Sequence, residues 1–451
     1  MSYVDAYFDR DNDIIKVVER NKQGLREFKD FPIKYTFYYA DPRGKCRSIY
    51  DTPVSRVVCR NSKDYRKELS IYGDKQLFES DINPIFSCLS ENYIEQDAPK
   101  LNVAWFDIEV DFDPERGYAS PDDAFMPITA IAVHLQWLDT LVCLAIPPKT
   151  LSMEEAVELV KEFPNTMLFK TEAELLDAFL DLIADADVLS GWNSEGFDIP
   201  YTVNRVTKVL SKNDTRRFCL FDQFPKRREY EKFGKHAVTY DLVGRVHLDS
   251  LELYRKYTYS EMHSYRLDAI AEHELGERKT PYEGTLDQLY NNDFKTFIEY
   301  NRQDTLLLEK LDRKLKFLDL ANAIAHENTV LLQTTMGAVA VTEQAIINEA
   351  HNRGFQVPSR PKKTDNEMAG AAGAYVAHPK EGLQDWIGSL DINSLYPSVI
   401  RALNMGPETI IGQLRQTSTD DFIEAQMAKG KSFAAAWEGV FGSLEYEAVM
   451  A

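Results

Sequence analysis

The stretch LNVAWFDIEV, Leu101 to Val110, constrains the fold more than any other part of the chain. Its apolar run, rich in aromatic and β-branched residues, reads as a strand built into a sheet. Asp107 and Glu109 lie two apart on it, so both carboxylates leave one face while Phe106, Ile108 and Val110 take the other. Two acids on one face repel each other unless a cation lies between them. Taken alone, the pair reads as a solvated acidic edge.

Two further acidic stations follow. In Asn193-Ser194-Glu195-Gly196-Phe197-Asp198 a buried strand at Val188 and Leu189 leads into a turn. Gly191 and Gly196 permit an unusual backbone path there, and Asp198 heads a helix through Tyr201, Val203 and Val206. An Asp at a helix start is most often a cap. In Glu299-Tyr300-Asn301-Arg302-Gln303-Asp304, Tyr300 and Asp304 are four apart and share one helical face, which alone reads as surface packing. The three stations together weigh differently. Carboxylates on a strand, a turn after a strand and a late helix can converge on two divalent cations, the apparatus of two-metal phosphodiester cleavage. Oxygen ligands favour Mg²⁺ or Mn²⁺ over zinc. His263 and His273 lie between the stations and read as structural or solvated.

A length of 451 residues with 44% hydrophobic content allows two to four domains. The five cysteines are scattered without C-x-x-C pairs, which argues against a disulfide framework or a zinc site and fits a reducing cytoplasm. There is no signal-peptide core and no run of about eighteen apolar residues, so no membrane partner is expected. A net charge of −20 argues against a polyanionic partner on average. Between Arg205 and His236, however, basic residues outnumber acidic ones. The simpler reading of that segment is a solvated surface.

The first hundred residues read as short strands and turns: IIKVVER, the Asn21 to Gly24 turn, LREFKDF, YTFYYA and the Asp41 to Gly44 turn. Thr171 with Glu174 forms a capping box ahead of Leu175, Leu176, Phe179 and Ile183, and another helix is expected after Asp293. Strands alternating with helices make residues 100–318 an α/β domain.

F-D-I-E at 106–109, N-x-x-x-F-D at 193–198 and Y-x-x-x-D at 300–304 resemble, in order and separation, the three exonuclease motifs of family B DNA polymerases. The whole chain resembles the N-terminal half of a replicative polymerase of the T-even phage (myovirus) type. The resemblance implies a 3′→5′ proofreading exonuclease of ribonuclease H-like fold. Asp107, Glu109, Asp198 and Asp304 would hold two Mg²⁺ or Mn²⁺ ions, and Tyr300 would orient the attacking water. KFGKHAVTYDLVGRVHL, Lys232 to Leu248, resembles the family's β-hairpin, and SYRLDAIAEHELG, Ser264 to Gly276, the helix after it.

WIGSLDIN reads as a strand ending near Asp391, followed by a turn and a helix with Pro397 as its first residue, stopped by Gly406-Pro407. Amides in such a turn suit a triphosphate, and Asp391 suits its escorting cation. D-x-x-S-L-Y-P-S resembles the first palm motif of the same family. By that resemblance Asp391 binds the catalytic metals, Ser394 and Leu395 offer amides to the phosphates, and Tyr396 packs under the deoxyribose. GAAGAYV, Gly370 to Val376, is similar to the family's template-contacting element. The expected DNA contacts are Asn193, Phe197, Arg227, Arg228, Gly373 and Tyr375.

The fold class is therefore α/β multidomain: a β-rich N-terminal domain at 1–99 with 319–362 packing back on it, a ribonuclease H-like exonuclease at 100–318, and a partial palm at 363–451. The second palm aspartate motif Y-G-D-T-D-S and the fingers motif do not occur. Tyr72-Gly73-Asp74 reads as a turn. The ending FGSLEYEAVMA carries no capping signal and is expected to cut through a continuing palm, so a C-terminal polymerase segment, in cis or in trans, is an expected partner. Primer-template and single-stranded DNA, deoxynucleoside triphosphates and replisome proteins are the others, in the cytoplasm of a bacterial host. A stand-alone 3′→5′ exonuclease and a non-catalytic nucleic-acid-binding subunit of a split polymerase are the alternatives.

Overall fold

The computed structural model describes residues 2–232, 235–360 and 378–406, and beyond them 409, 412–416, 425–432, 435 and 446–450. It forms two compact units, one of Met1–Tyr35, Arg60–Ser62 and Ile82–Glu349, the other of Thr36–Cys59, Lys63–Asp81 and Ala350–Ala451. This division runs differently from the boundaries expected near residues 99 and 318.

The first unit is built on a six-stranded mixed sheet in the order Thr166–Leu168, Thr140–Ala145, Ile128–Leu135, Val103–Val110, Val188–Ser190, Val246–His247. Val103–Val110 runs antiparallel to Ile128–Leu135 and parallel to Val188–Ser190. Parallel pairs need a long crossover, and helices Met153–Val160 and Glu172–Leu182 lie in this one. The Thr171 capping box forms as expected, and Leu175, Leu176 and Phe179 are fully buried. One face of the sheet buries Phe106 and Ile108 against Phe179 and against Ile199, Tyr201 and Val206 of helix Asp198–Val209. The opposite face carries Val103 and Trp105 beneath Leu307, Leu308 and Leu311 of the long helix Phe294–Leu315.

A three-stranded antiparallel sheet, Ser2–Asp9, Ile14–Arg20 and Arg26–Pro32, belongs to the same unit. The Arg20 guanidinium explains why. It reaches the fully buried Asp187 carboxylate at 2.8 Å, beside the sheet strand Val188–Ser190. Tyr3 in turn donates to Ala325 O and Val330 O at 2.9 and 2.8 Å, so the end of helix Phe317–Glu327 is capped by the N-terminal strand. Helix Pro84–Tyr93 completes that small core with Leu89 and Tyr93. It ends at Tyr93, so a helix packed on this core leads up to the boundary expected at residue 99.

The second unit holds a five-stranded sheet in the order Phe355–Gln356, Cys46–Ser48, Pro53–Cys59, Tyr35–Ala40, Leu77–Phe78, with Phe37, Val54 and Phe78 fully buried. Residues Tyr72 to Asp74 form a turn at the end of helix Ser62–Ile71, as read from the sequence. Two expectations for WIGSLDIN and the helix after it need correction. Among the described residues the segment pairs with no strand, and Trp386 and Leu390 are fully exposed. A lone strand has no ladder partner for its backbone groups. The following helix spans Leu395–Ala402, two residues earlier than expected, with Pro397 inside its first turn, where a missing N–H costs nothing. No helix among the described residues is long and apolar enough to cross a membrane.

Candidate active site

Val103–Val110 is a central strand, so Asp107 and Glu109 do not form a solvated edge. Glu109 is 7% exposed and Asp107 is half-buried. Across the sheet, Asp107 pairs with Ala132 and Ala132 with Cys143, while Glu109 pairs with Ala130 and Ala130 with Ala145. The small residues in both rows leave room for helix Phe294–Leu315 to lie over the acids.

The neighbouring strand stops at Ser190, which leaves the edge of Val103–Val110 open beyond it. The turn 191–197 fills that gap. Gly191 sits so close that a Cβ there would lie 2.8 Å from the Phe106 carbonyl oxygen, which is why this position takes glycine. Asn193 adopts a positive φ of 61°, and the Asp249 carboxylate accepts from Asn193 N and Glu195 N, both at 3.0 Å. Ser194 Oγ and His247 Nε2 lie 2.9 Å apart behind the turn. Asp198 is the first residue of its helix but caps nothing. Its carboxylate instead accepts from Ile108 N at 3.3 Å, between the two strand acids.

Helix Phe294–Leu315 starts at Asp293, which caps Thr296 N at 3.1 Å, and brings Tyr300, Asn301 and Asp304 over the strand. Oxygens of Asp107, Glu109 and Asp304 lie within 4.8 Å of one another. Asp198 is not one of that trio and stands beside it. Lys279, in the loop after helix Leu267–Leu275, is ion-paired with Asp304 and donates to the Tyr300 hydroxyl at 3.0 Å. Asn301 donates to the Asp107 carboxylate at 3.2 Å.

Burial, followed by the charges of the other acids, pushes the carboxyl groups of Asp107, Glu109 and Asp198 above their ordinary range. Burial also raises Asp304, against the pull of Lys279. Burial opposes the charge on Lys279, but Asp304, Tyr300 and Asp107 outweigh it and hold the ammonium above its usual range. The Tyr300 hydroxyl is raised by burial and by Asp304. Asp304 Oδ1 is buried without a hydrogen-bond partner. An excess of buried negative charge, an orphaned carboxylate oxygen and a donor set of oxygen alone fit a hard divalent cation.

Sequence reasoning missed Lys279 and Asn301. A lysine in a polar loop looks like any surface lysine, and Asn301 acquires meaning only from the sheet row beneath it. The hairpin was placed too late: it pairs Lys226–Lys232 with Lys235–Asp241, so the basic stretch is its first arm, while Val246–His247 joins the main sheet. Arg228 is paired with Glu195 at 2.6 Å and Asp241 at 2.9 Å, and Arg227 with Glu229. Phe197 stacks on Tyr201 at 5.2 Å. In the other unit, Asp391, Ser394, Leu395 and Tyr396 are all exposed, Ser394 with a positive φ of 53° at the helix start. Gly373, Tyr375 and the rest of GAAGAYV lie outside the described residues.

Comparison with known proteins gives two family matches. Residues 72–270 match the family B DNA polymerase exonuclease domain, which takes in Asp107, Glu109 and Asp198, and residues 329–437 match family B DNA polymerase, which takes in Asp391 to Tyr396. The chain is 27% identical over 445 residues to the DNA-directed DNA polymerase of Escherichia phage RB69, covering 93% of this chain and 48% of that protein. It is 25% identical over 448 residues to that of Enterobacteria phage T4, with the same coverage. Over 259 residues it is 29% identical to the DNA polymerase delta catalytic subunit of Drosophila melanogaster, covering 53% of this chain and 23% of that one. The chain thus spans about half the length of its phage relatives. With an exonuclease match over Asp107, Glu109 and Asp198, a polymerase match after it and phage polymerases aligned along nearly its whole length, the chain belongs to family B of the DNA polymerases.

Proposed function

We propose that the first unit is a 3′→5′ proofreading exonuclease that hydrolyses the terminal phosphodiester of single-stranded primer ends in DNA. The observation that carries this reading is the convergence of Asp107, Glu109 and Asp304, with Asp198 beside them, in a buried site whose charge is only partly offset by Lys279. Asp107, Glu109, Asp198 and Asp304 would hold two Mg²⁺ or Mn²⁺ ions, which when bound supply positive charge to the attacking and leaving oxygens. Tyr300, with its hydroxyl kept protonated by burial, holds an O–H ready to orient water at the phosphate. Lys279 keeps Tyr300 and Asp304 in register and adds a cation beside the phosphate. Asn193 and Phe197, on the turn leading to Asp198, contact the DNA end.

In the same reading Asp391 belongs to a polymerase centre, Ser394 and Leu395 receive the triphosphate, and Tyr396 selects the deoxyribose. Gly373 and Tyr375 touch the template. The rest of the palm, the fingers and the thumb complete that centre, and replisome proteins assemble on it in the bacterial cytoplasm. A 5′-labelled primer on a longer template, incubated with this chain, Mg²⁺ and four deoxynucleotides, tests the division of labour. Shortening without extension is expected, and extension would overturn the assignment of the polymerase centre.

A further inference from the structure

Asn301 is fully buried beside Tyr300, and both ends of its carboxamide are engaged. Its Nδ2 is 3.2 Å from Asp107 Oδ2 and 3.3 Å from Asp107 O. Its Oδ1 faces the thiol of Cys143 at 3.7 Å. The register explains the span. Asp107, Ala132 and Cys143 form one row across three strands, and strands lie about 4.8 Å apart, so a carboxamide lying over the alanine reaches from one outer residue to the other. A larger residue at Ala132 would fill the space Asn301 occupies.

We propose that Asn301 is a positioning residue for the metal site: through Nδ2 it fixes the rotamer of Asp107, and through Oδ1 it is itself held by Cys143. The inference rests on the reading of the carboxylates as a cation site. A neutral amide suits this task because it anchors the carboxylate without cancelling its charge. Lys279 does the opposite at Asp304, where it both anchors and neutralises. The two residues therefore divide the site into a side prepared to receive a cation and a side that carries its own.

The test is Mn²⁺ binding to the whole chain without DNA, followed by the electron paramagnetic resonance signal of free Mn²⁺. Wild type, Asn301→Leu, Cys143→Ala and Asp107→Asn are compared, and each variant's melting transition is recorded in EDTA. Asn301→Leu is expected to weaken Mn²⁺ binding about tenfold or more, the loss typical when a partner of a metal ligand is removed. Cys143→Ala, which removes the thiol behind Asn301 and leaves Asn301 and Asp107 themselves in place, is expected to weaken it by a smaller factor. A folded Asn301→Leu with wild-type affinity would overturn the inference. Should Asn301→Leu fail to melt cooperatively, Asn301→Ser, smaller and still polar, decides in the same way. If wild type binds no Mn²⁺, or if Asp107→Asn binds as wild type does, the cation-site reading falls and the inference falls with it.

Discussion

The Lys279 ammonium is ion-paired with the Asp304 carboxylate and donates to the Tyr300 hydroxyl at 3.0 Å, so one loop residue ties the two ends of the Y-x-x-x-D stretch together. Among the described residues, this lysine is the cation ion-paired with the cluster of Asp107, Glu109 and Asp304.

Replacing it should therefore cost stability in a metal-dependent way. Lys279→Met is expected to lower the stability of the metal-free chain at pH 7.5 by on the order of 2 kcal/mol, because the partner acid stays buried. Saturating Mn²⁺ should recover most of that loss. Thermal melts in EDTA and in Mn²⁺ measure both. An equal loss in the two conditions would make Lys279 a structural pair only.

The strand acids should show the opposite behaviour. Burial, then the charge of Asp304 on Asp107 and the charges of Asp107 and Asp304 on Glu109, raise the folded-state values of the two strand acids, so their protonated forms are favoured on folding. That contribution is fully present below the unfolded carboxyl range and is lost as pH rises through the raised values. Metal-free Asp107→Asn with Glu109→Gln should be more stable than wild type at pH 8, by roughly 2 kcal/mol, and no more stable at pH 4. Urea midpoints at the two pH values check this. Nuclease activity should vanish in the same variant.

His247 gives a pH effect of the other sign. Burial, then Arg228, lowers its imidazole to about 3 from an ordinary 6.5. The folded chain keeps it neutral while the unfolded chain protonates it, so stability is present above pH 6.5 and is lost as pH falls toward 3. His247→Gln should flatten the acid limb between pH 6 and 4. An unchanged limb would place the acid sensitivity elsewhere.

The arginines of the basic hairpin arm and of the segment before it are largely paired with nearby acids. Arg228 holds two carboxylates and Arg227 one, and Arg216 and Arg217 pair with Asp222 and with Asp177 and Asp181. Two free phosphate contacts would contribute about 1.4 to the salt slope of single-strand binding. Arg227→Gln with Arg228→Gln should reduce the slope by less than half of that. A full loss would show that all three pairs open onto DNA.

The acids were legible in the sequence because two periodicities expose them: Asp107 and Glu109 by strand alternation, Tyr300 and Asp304 by a helical turn. Asp198 was legible from its turn, although its carboxylate serves the neighbouring strand rather than its own helix. Asn301 was hidden because its role comes from a row of three strands whose register no local pattern reveals. Lys279 was hidden because it arrives from a loop. Arg228 reads as free because its partners Glu195 and Asp241 lie outside the basic run, and Arg227 because nothing local shows that it faces Glu229 within that run. The Trp386 to Asp391 segment kept its strand-like pattern, but among the described residues no neighbour provides the ladder that would make it one.

The most direct measurement uses a 5′-labelled single strand with a free 3′-hydroxyl, incubated with wild type or Asp198→Asn in Mg²⁺ or in EDTA, with every product length resolved. The expected result is a ladder of one-nucleotide steps from the 3′ end with wild type in Mg²⁺, no ladder in EDTA, and a rate at least on the order of 10²–10³ lower for Asp198→Asn. A ladder that persists in EDTA, or Asp198→Asn cutting as fast as wild type, would contradict the assignment of the buried carboxylates as a cation-dependent nuclease site.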